Sequence, residues 1–269
     1  MRLARCLLVC ASTTRTVVRS RPTMAFSSSS SQWQVSRGDG NGGDGLTAVK
    51  GAVSADAPTV VWLHGLGDSG HGWVDAFTSD GIVLPVGTKV ILPTATERPI
   101  TVNGGAAMPG WYDIVALTRG APVDAEGIAA SVTRVKALIA KETGPVVLGG
   151  FSQGGAISLS AALSKEDKPF SNVVAVVSLS AYLPNSHLYD AAPVDGPKRF
   201  LLCHGDQDQV IDFEAGKAAH TALQSLGLQS TFQLFRGMAH SARPDEFQTV
   251  SAFLTDVLSS SSSSDSSSL

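Results

Sequence analysis

A serine flanked by two glycines stands where a predicted strand meets a predicted helix. Residues 145–149 (PVVLG) form the short apolar run of a buried strand, and residues 155–163 (GAISLSAAL) combine good helix formers with an apolar face. Ser152 therefore occupies a tight strand-to-helix turn, in which side chains at Gly150 and Gly154 would collide with their surroundings. Such a turn holds a serine hydroxyl exposed above the helix N-terminus, which is the placement that a nucleophile requires.

A serine hydroxyl needs a base to become a nucleophile, and the base needs an acid to orient it. The apolar run 199–203 (RFLLC) predicts a second buried strand, and Asp206 and Asp208 follow it closely. Both carboxylates thus lie just past the carboxyl end of a strand, where α/β folds keep their sites. Position alone leaves either aspartate as the acid.

His240 is the candidate base. It follows the predicted strand 231–235 (TFQLF), so the chain order is serine, aspartate, histidine, as in α/β-hydrolases. His64 precedes the serine and is out of order, whereas His204 is more typical of a partly buried histidine bonded to nearby backbone. The other histidines lie in polar surroundings typical of a surface: His71, His187 and His220. None has metal-ligand spacing with cysteines or carboxylates, so we expect no zinc site.

An acyl-transfer site also needs amide donors for the negatively charged oxygen of its intermediate. One expected donor is the backbone N–H of Gln153, the residue after the nucleophile. The other is expected in the glycine-rich loop 64–70 (HGLGDSG), with Leu66 as the donor, because the glycines let backbone amides turn inward. The alternative is an ordinary glycine-rich loop without a chemical role.

Taken together, these segments resemble the family of acyl-protein thioesterases, lysophospholipases and small carboxylesterases. The resemblance covers roughly residues 56 to 258. It rests on HGLGD at 64–68, GHGW at 70–73, RPIT at 98–101, AMPGWYDI at 107–114, GGFSQGG at 149–155, HGDQD at 204–208 and GMAH at 237–240.

The resemblance implies Ser152 as nucleophile, His240 as base and Asp208 as the acid, with Leu66 and Gln153 as the oxyanion donors. It implies a serine hydrolase without cofactor or metal that cleaves acyl thioesters of S-palmitoylated proteins, with lysophospholipids as further substrates. A broad carboxylesterase acting on small soluble esters is the alternative within the same chemistry. An inactive binding protein of the same fold is the alternative outside it.

Apolar runs alternate with helical patterns between the two ends of the chain. This alternation predicts an α/β fold with one α/β-hydrolase domain at 56–258, built on a mostly parallel central sheet with helices on both faces. The strand candidates are 58–63, 88–92, 145–149, 173–179, 199–203 and 231–235. The helix candidates are 154–165, 213–225, 245–258 and a helix capped by Asp124. The intervals from Ser152 to Asp208 and from Asp208 to His240 are too short for a lid domain.

The loop from about residue 95 to residue 120 is the longest one with apolar content. Met108 and Trp111 in this loop, and Leu183 in a later one, are candidates for the lining of an acyl-chain groove. Each methylene buried in such a groove is worth about 0.8 kcal/mol. The alternative for Trp111 is that it packs on the sheet.

The two ends of the chain differ in composition from the rest. Residues 1–38 contain six arginines and no acidic residue, which is typical of a mitochondrial or plastid transit peptide. The family resemblance implies a cytoplasmic protein instead, and an extension without a targeting role is the third interpretation. We expect residues 39–55 to be a linker and the serine-rich residues 259–269 to be a disordered tail.

Charge and composition exclude several classes of function. The net charge of −3 becomes −9 without residues 1–38, with 14 basic against 23 acidic residues, which argues against nucleic-acid binding. No apolar run reaches the roughly 18 residues needed to span a bilayer, so any membrane contact is expected to be peripheral. Only Cys203 lies in the predicted domain, which rules out an internal disulfide framework and fits a reducing compartment. The pattern does not determine an oligomeric state.

Overall fold

The computed structural model describes residues 32–39, 43–79, 81–118, 120–164, 172–189 and 198–261. Within them, one large sheet contains eight strands. These are β1 (Trp33–Arg37), β2 (Gly45–Lys50), β3 (Thr59–Leu63), β4 (Lys89–Pro93), β7 (Val146–Phe151), β8 (Val173–Leu179), β9 (Arg199–Gly205) and β10 (Gln229–Phe235). A separate hairpin consists of β5 (Glu97–Ile100) and β6 (Ala106–Pro109).

The strands lie in the order β1-β2-β4-β3-β7-β8-β9-β10. The six strands β4, β3, β7, β8, β9 and β10 run parallel to one another. At the β1 side of the sheet, β2 pairs antiparallel with both β4 and β1. Every residue of β3 is buried, because helices cover both faces of the sheet there. Because β3, β7, β9 and β10 run in the same direction, their carboxyl ends lie on the same side of the sheet, and the site is built there.

The five described helices divide between the two faces of the sheet. They are α1 (Gly70–Thr78), α2 (Ala125–Ile139), α3 (Gln153–Leu163), α4 (Phe213–Ser225) and α5 (Pro244–Ser261). One core cluster joins the sheet to α2, α3 and α4, and the other joins it to α1 and α5. The predicted α/β-hydrolase fold, with helices on both faces of a mostly parallel sheet, is thereby confirmed. Asp124 caps α2 as predicted, accepting a hydrogen bond from the Gly127 amide.

The sheet begins earlier in the chain than the sequence pattern predicts. Strands β1 and β2 lie before residue 56, within the segments predicted as extension and linker, and Trp33 of β1 pairs with Lys50 of β2. The pattern misses β1 because four of its five residues are exposed, so it lacks the apolar run of a buried strand. At the other end, α5 continues to Ser261, three residues into the predicted tail. Residues 1–31 of the predicted transit peptide (1–38) and residues 262–269 of the predicted tail (259–269) lie outside the described residues.

No helix in the described ranges is long and apolar enough to cross a membrane.

Candidate active site

Ser152 lies at a strained turn between β7 and α3. Its backbone has φ 54° and ψ −120°, a conformation that a residue with a side chain adopts only when its surroundings hold it there. A Cβ atom at Gly154 would overlap the carbonyl oxygen of Leu63, and one at Gly150 would press on the backbone of Gly154. The prediction that both glycines are required by this turn is therefore confirmed. The serine itself is only 9% exposed, less than the sequence pattern predicts, because the loop at Gly65 approaches it closely.

His240 lies within hydrogen-bond distance of Ser152 and Asp208. Its Nε2 atom is 3.0 Å from the Ser152 hydroxyl oxygen, and its Nδ1 atom is 2.7 Å from Oδ2 of Asp208. Because the carboxylate only accepts, Nδ1 carries the proton and Nε2 is left to accept from the serine hydroxyl. The three residues come from the ends of three strands, β7, β9 and β10, brought together by the order of the sheet.

The side chain of Asp208 is fully buried and surrounded by donors. Its Oδ1 atom accepts hydrogen bonds from the backbone amides of Val210 and Ile211, each at 2.9 Å. Burial acts to raise the pKa of this carboxyl, but hydrogen bonds from His204, His240 and the Ile211 amide outweigh burial and hold the pKa well below its usual range. Asp208 is therefore a carboxylate throughout the neutral pH range.

Asp206 has a different partner. Its Oδ1 atom accepts a hydrogen bond of 2.6 Å from the backbone amide of Gly237, in the loop after β10. The backbone amide of Gln207 adds a second link, of 3.0 Å, to the carbonyl oxygen of Met238. These bonds join the loop after β9 to the loop that carries His240. Of the two aspartates left open by position, the structure places Asp208 against the histidine and Asp206 between the loops.

Gln153 directly follows the serine, and the loop that contains Leu66 passes next to it. Gln153 is the first residue of α3, so its N–H has no acceptor within the helix. The Leu66 loop approaches so closely that a Cβ atom at Gly65 would lie 3.5 Å from the Cβ atom of Ser152. In the described part of the chain, neither amide donates a hydrogen bond to another protein group. Two free donors next to a serine can bind an oxygen that acquires negative charge.

His64 holds the Leu66 loop in place. Its Nδ1 atom donates to the carbonyl oxygen of Gly65 at 2.6 Å, and its Nε2 atom accepts from the Ala95 amide at 2.9 Å. Burial lowers the pKa of His64, and this bonding pattern requires the neutral ring. The indole N–H of Trp111 adds a bond of 2.9 Å to the carbonyl oxygen of His64. The loop is therefore anchored to two neighbouring segments.

The side chain of Gln153 provides a second anchor. Its Oε1 atom accepts from the Trp111 amide and its Nε2 atom donates to the carbonyl oxygen of Tyr112, both at 2.7 Å. The residue that supplies one free amide to the site thus also ties the segment after β6 to the start of α3. This contact is buried, so no water competes for it.

The candidate groove residues lie in different environments. Trp111 is 1% exposed and Leu183 is 7% exposed, and both belong to the core cluster on the α2–α3–α4 face. Trp111 therefore packs on the sheet and supports the His64 loop, instead of lining an open groove. Met108 is only partly buried and lies on β6. The Gly67 amide, in the Leu66 loop, donates a hydrogen bond of 2.8 Å to the carbonyl oxygen of Pro109 at the end of β6.

Comparison with known proteins agrees with this geometry. Residues 45–258 match the Phospholipase/Carboxylesterase family. The chain belongs to that family. It is 37% identical to acyl-protein thioesterase 1 of Gibberella zeae over 221 residues, which cover 76% of this chain and 92% of the relative. It is 30% identical to acyl-protein thioesterase 1 homolog 1 of Dictyostelium discoideum, over 78% of this chain and 95% of that protein.

A solved structure of the same kind has the same fold. Acyl-protein thioesterase 2 of Zea mays superposes with a TM-score of 0.71 at 29% identity, covering 85% of this chain and 99% of that chain. Together with the family match, this likeness identifies the protein as a hydrolase of the α/β-hydrolase fold.

A cleft of about 740 Å³ opens beside His240. It lies between α1 and the N-terminal part of α5, and its walls include Asp68, Trp73, Phe151, Phe247 and His240. The rings of Phe151 and His240 are 4.9 Å apart between centroids, so the phenylalanine covers one side of the imidazole. His240 thus stands in the wall of an open cleft, next to Phe151, the residue that precedes the serine.

In the ranges that the structure describes, no group of three or more histidine, cysteine, aspartate and glutamate side chains is arranged to hold a metal ion. The residues whose role the sequence analysis did not predict are polar ones that support the site. His64 and His204 are the main examples. Neither has a sequence signal beyond its place at the end of a strand: His64 directly follows β3, and His204 is the last residue but one of β9.

Proposed function

We propose that the protein is an acyl-protein thioesterase in which Ser152 attacks the thioester carbonyl of an S-acylated protein. The observation that carries this proposal is the continuous hydrogen-bonded chain from the serine hydroxyl through His240 to Asp208, with spacings of 3.0 and 2.7 Å. The substrate class is supported by the relatives, which are named acyl-protein thioesterases.

In the acylation step, the Ser152 oxygen forms a bond to the carbonyl carbon while His240 takes the hydroxyl proton. The amides of Leu66 and Gln153 bind the oxygen that becomes negative, and Asp208 stabilises the imidazolium. When the intermediate collapses, the carbon–sulfur bond breaks and His240 gives its proton to the leaving thiolate. A water molecule, deprotonated by His240, then attacks the acyl-serine. The bond between the acyl carbon and the Ser152 oxygen breaks, His240 returns the proton to that oxygen, and the fatty acid leaves.

The substrate range follows from the same machinery. Lysophospholipids are a second proposed class, supported by the inclusion of phospholipases in the family and by the open cleft beside His240. Broad carboxylesterase activity on small esters would use the same residues. Met108 is the proposed acyl-chain contact, because it is partly exposed on the hairpin next to the Leu66 loop. Contact with membranes that carry such substrates is proposed to be peripheral, and residues 1–38 are proposed to direct the protein to an organelle.

Replacement of Ser152 by alanine tests the proposal. The variant should fold normally, because only one hydroxyl is removed, and should lose on the order of 10⁴-fold or more in turnover of a palmitoyl-peptide thioester. A fluorophosphonate probe should label the wild type and leave the variant unlabelled. Turnover at the wild-type rate in Ser152→Ala would refute the serine mechanism. A panel of thioesters and oxygen esters with graded acyl chains would identify the preferred substrate, and a wild type that cleaves only short oxygen esters would refute the thioesterase proposal.

A further inference from the structure

His204 touches the acid of the proposed catalytic chain but takes no part in the steps above. It lies near the end of β9, and its side chain is 1% exposed. Its Nε2 atom is 2.9 Å from the carbonyl oxygen of Ile211 and 3.3 Å from Oδ2 of Asp208. The same Oδ2 atom receives Nδ1 of His240 at 2.7 Å. Two imidazole rings therefore share one carboxylate oxygen.

The position of the proton on His204 follows from its neighbours. The carbonyl oxygen of Ile211 can only accept a hydrogen bond, so Nε2 must carry a proton. That N–H faces two acceptors, the carbonyl of Ile211 and the carboxylate of Asp208. In the described part of the chain, Asp208 is the one charged side chain within ion-pair distance of His204. A neutral ring with its proton on Nε2 satisfies both acceptors.

The other side of the ring is held by α4. Gly216 of that helix lies so close to Nδ1 of His204 that any side chain there would overlap the ring. The imidazole is thus fixed between a helix backbone and the loop 208–211, and it has no room to turn away from Asp208. Its hydrogen-bond donor is held in place before any substrate binds.

Asp208 therefore accepts three hydrogen bonds of 2.7 to 2.9 Å, and Nε2 of His204 approaches it as a fourth, longer donor at 3.3 Å. The amides of Val210 and Ile211 serve Oδ1, and the imidazoles of His204 and His240 serve Oδ2. Each donor disperses the negative charge and lowers the affinity of the carboxylate for a proton. Removing one donor leaves more charge for the others, so the remaining imidazole is bound more tightly in its protonated form.

We propose that His204 is a positioning residue that weakens the hold of Asp208 on the protonated form of His240. This role rests on the proposed function, because it presupposes that His240 is the base. By sharing Oδ2, His204 leaves His240 free of its proton at lower pH than Asp208 alone would allow. It thereby extends the pH range in which the serine can be activated.

Two matched substitutions separate this role from a merely structural one. In His204→Gln, the amide nitrogen falls close to the place of Nε2 and can still donate to Asp208. In His204→Asn, the amide reaches only the place of Nδ1 and leaves Asp208 and the Ile211 carbonyl without that donor. Both variants are polar, and both remove the imidazole ring, so they differ chiefly in the donor itself.

The measurement is kcat/KM against pH for a soluble acyl thioester, together with the thermal midpoint of each variant. The acid limb of the His204→Asn profile should move to higher pH by about 0.5 to 1 unit, because a hydrogen bond to a charged group is worth about a tenfold change in equilibrium. The His204→Gln profile should stay within about 0.2 units of the wild type, the error of such a fit, since its donor is retained. The wild type, assayed alongside, reports on the proposed function independently.

A lower thermal midpoint in His204→Asn with an acid limb at the wild-type pH would overturn the proposal and leave His204 a structural residue. An equal displacement in both variants would also overturn it, because the donor would then not be the cause. The low-field proton resonance of the Asp208–His240 hydrogen bond gives a readout without turnover. It should shift in His204→Asn and not in His204→Gln.

Discussion

Replacement of Glu246 by glutamine should stabilise the protein, and the gain should grow with pH. Glu246 lies in the first turn of α5 and is completely buried, and neither of its carboxyl oxygens makes a well-formed hydrogen bond to a described residue. Burial raises the pKa of this carboxyl from 4.5 to about 8. The neighbouring Asp245 adds to the rise, while the backbone and charge of Arg243 act against it and do not offset it.

The size of the effect follows from the difference in pKa between the two states. In the unfolded chain the carboxyl ionises near pH 4.5, whereas in the folded protein it stays protonated up to about pH 8. The free energy of unfolding must therefore fall as the pH rises through this window, and it levels off above it. One pKa unit corresponds to about 1.4 kcal/mol, so the wild type should lose about 3 kcal/mol between pH 5 and pH 8 from this group. Glutamine carries no charge and removes the loss.

Chemical denaturation of both proteins at a series of pH values between 5 and 8 measures this difference. The two should be nearly equal at pH 5 and should separate progressively toward pH 8. Asp245→Asn is the matched control, because that carboxyl is exposed and pairs with Arg243 at 2.7 Å. The pKa of Asp245 itself is lowered by hydrogen bonding to Arg243, so its own ionisation gives no gain that grows with pH. Its charge contributes only part of the rise at Glu246, so Asp245→Asn should leave most of the Glu246 effect in place. The reasoning is refuted if Glu246→Gln keeps the wild-type slope or if Asp245→Asn reproduces the gain.

Three further predictions concern the site and the ends of the chain. Asp208→Asn should lose on the order of 10⁴-fold in turnover, since asparagine would no longer fix the tautomer of His240. Asp206→Asn should mainly lower the thermal midpoint. The reverse pattern would show that Asp206 is the acid. Gly154→Ala should destabilise the protein by at least about 3 kcal/mol, because its methyl group meets backbone that cannot move aside, and an unchanged denaturation curve would contradict the clash. Deletion of residues 1–31 should leave activity intact, whereas deletion of residues 1–38 removes β1 and should lower the thermal midpoint. Residues 1–38 fused to a fluorescent protein should direct it to an organelle, and diffuse cytosolic fluorescence would contradict this.

Most of the fold was predictable because its central strands are buried on both faces. Such strands must be continuous apolar runs, and β3, β7, β8 and β9 are visible in the sequence for that reason. Edge strands carry no such requirement. In β1, four of five residues are exposed, so nothing in the sequence separates it from a loop, and only its pairing with β2 reveals it.

Sequence patterns alone were enough to predict the turn that holds Ser152 and the chain order of Ser152, the aspartates and His240. The reason is that the pattern itself is local: two glycines beside a serine stand between an apolar run and a helical one. The collision that makes Gly154 necessary, with the carbonyl oxygen of Leu63 in the adjacent strand, is seen only in the fold. Placement of the aspartates and histidine after the next strands follows equally from short-range patterns. Parallel strands then bring their carboxyl ends to a common edge.

Which groups touch was decided only by the tertiary structure. Asp206 and Asp208 are two residues apart and chemically identical, yet one turns to the Gly237 amide and the other to His240, because the loops after β9 and β10 pack against each other. Packing of α5 on the sheet likewise buries Glu246, which a local pattern of residues does not predict. Hydrogen-bond direction and burial depend on atoms distant in the chain, and no local pattern of residues contains them.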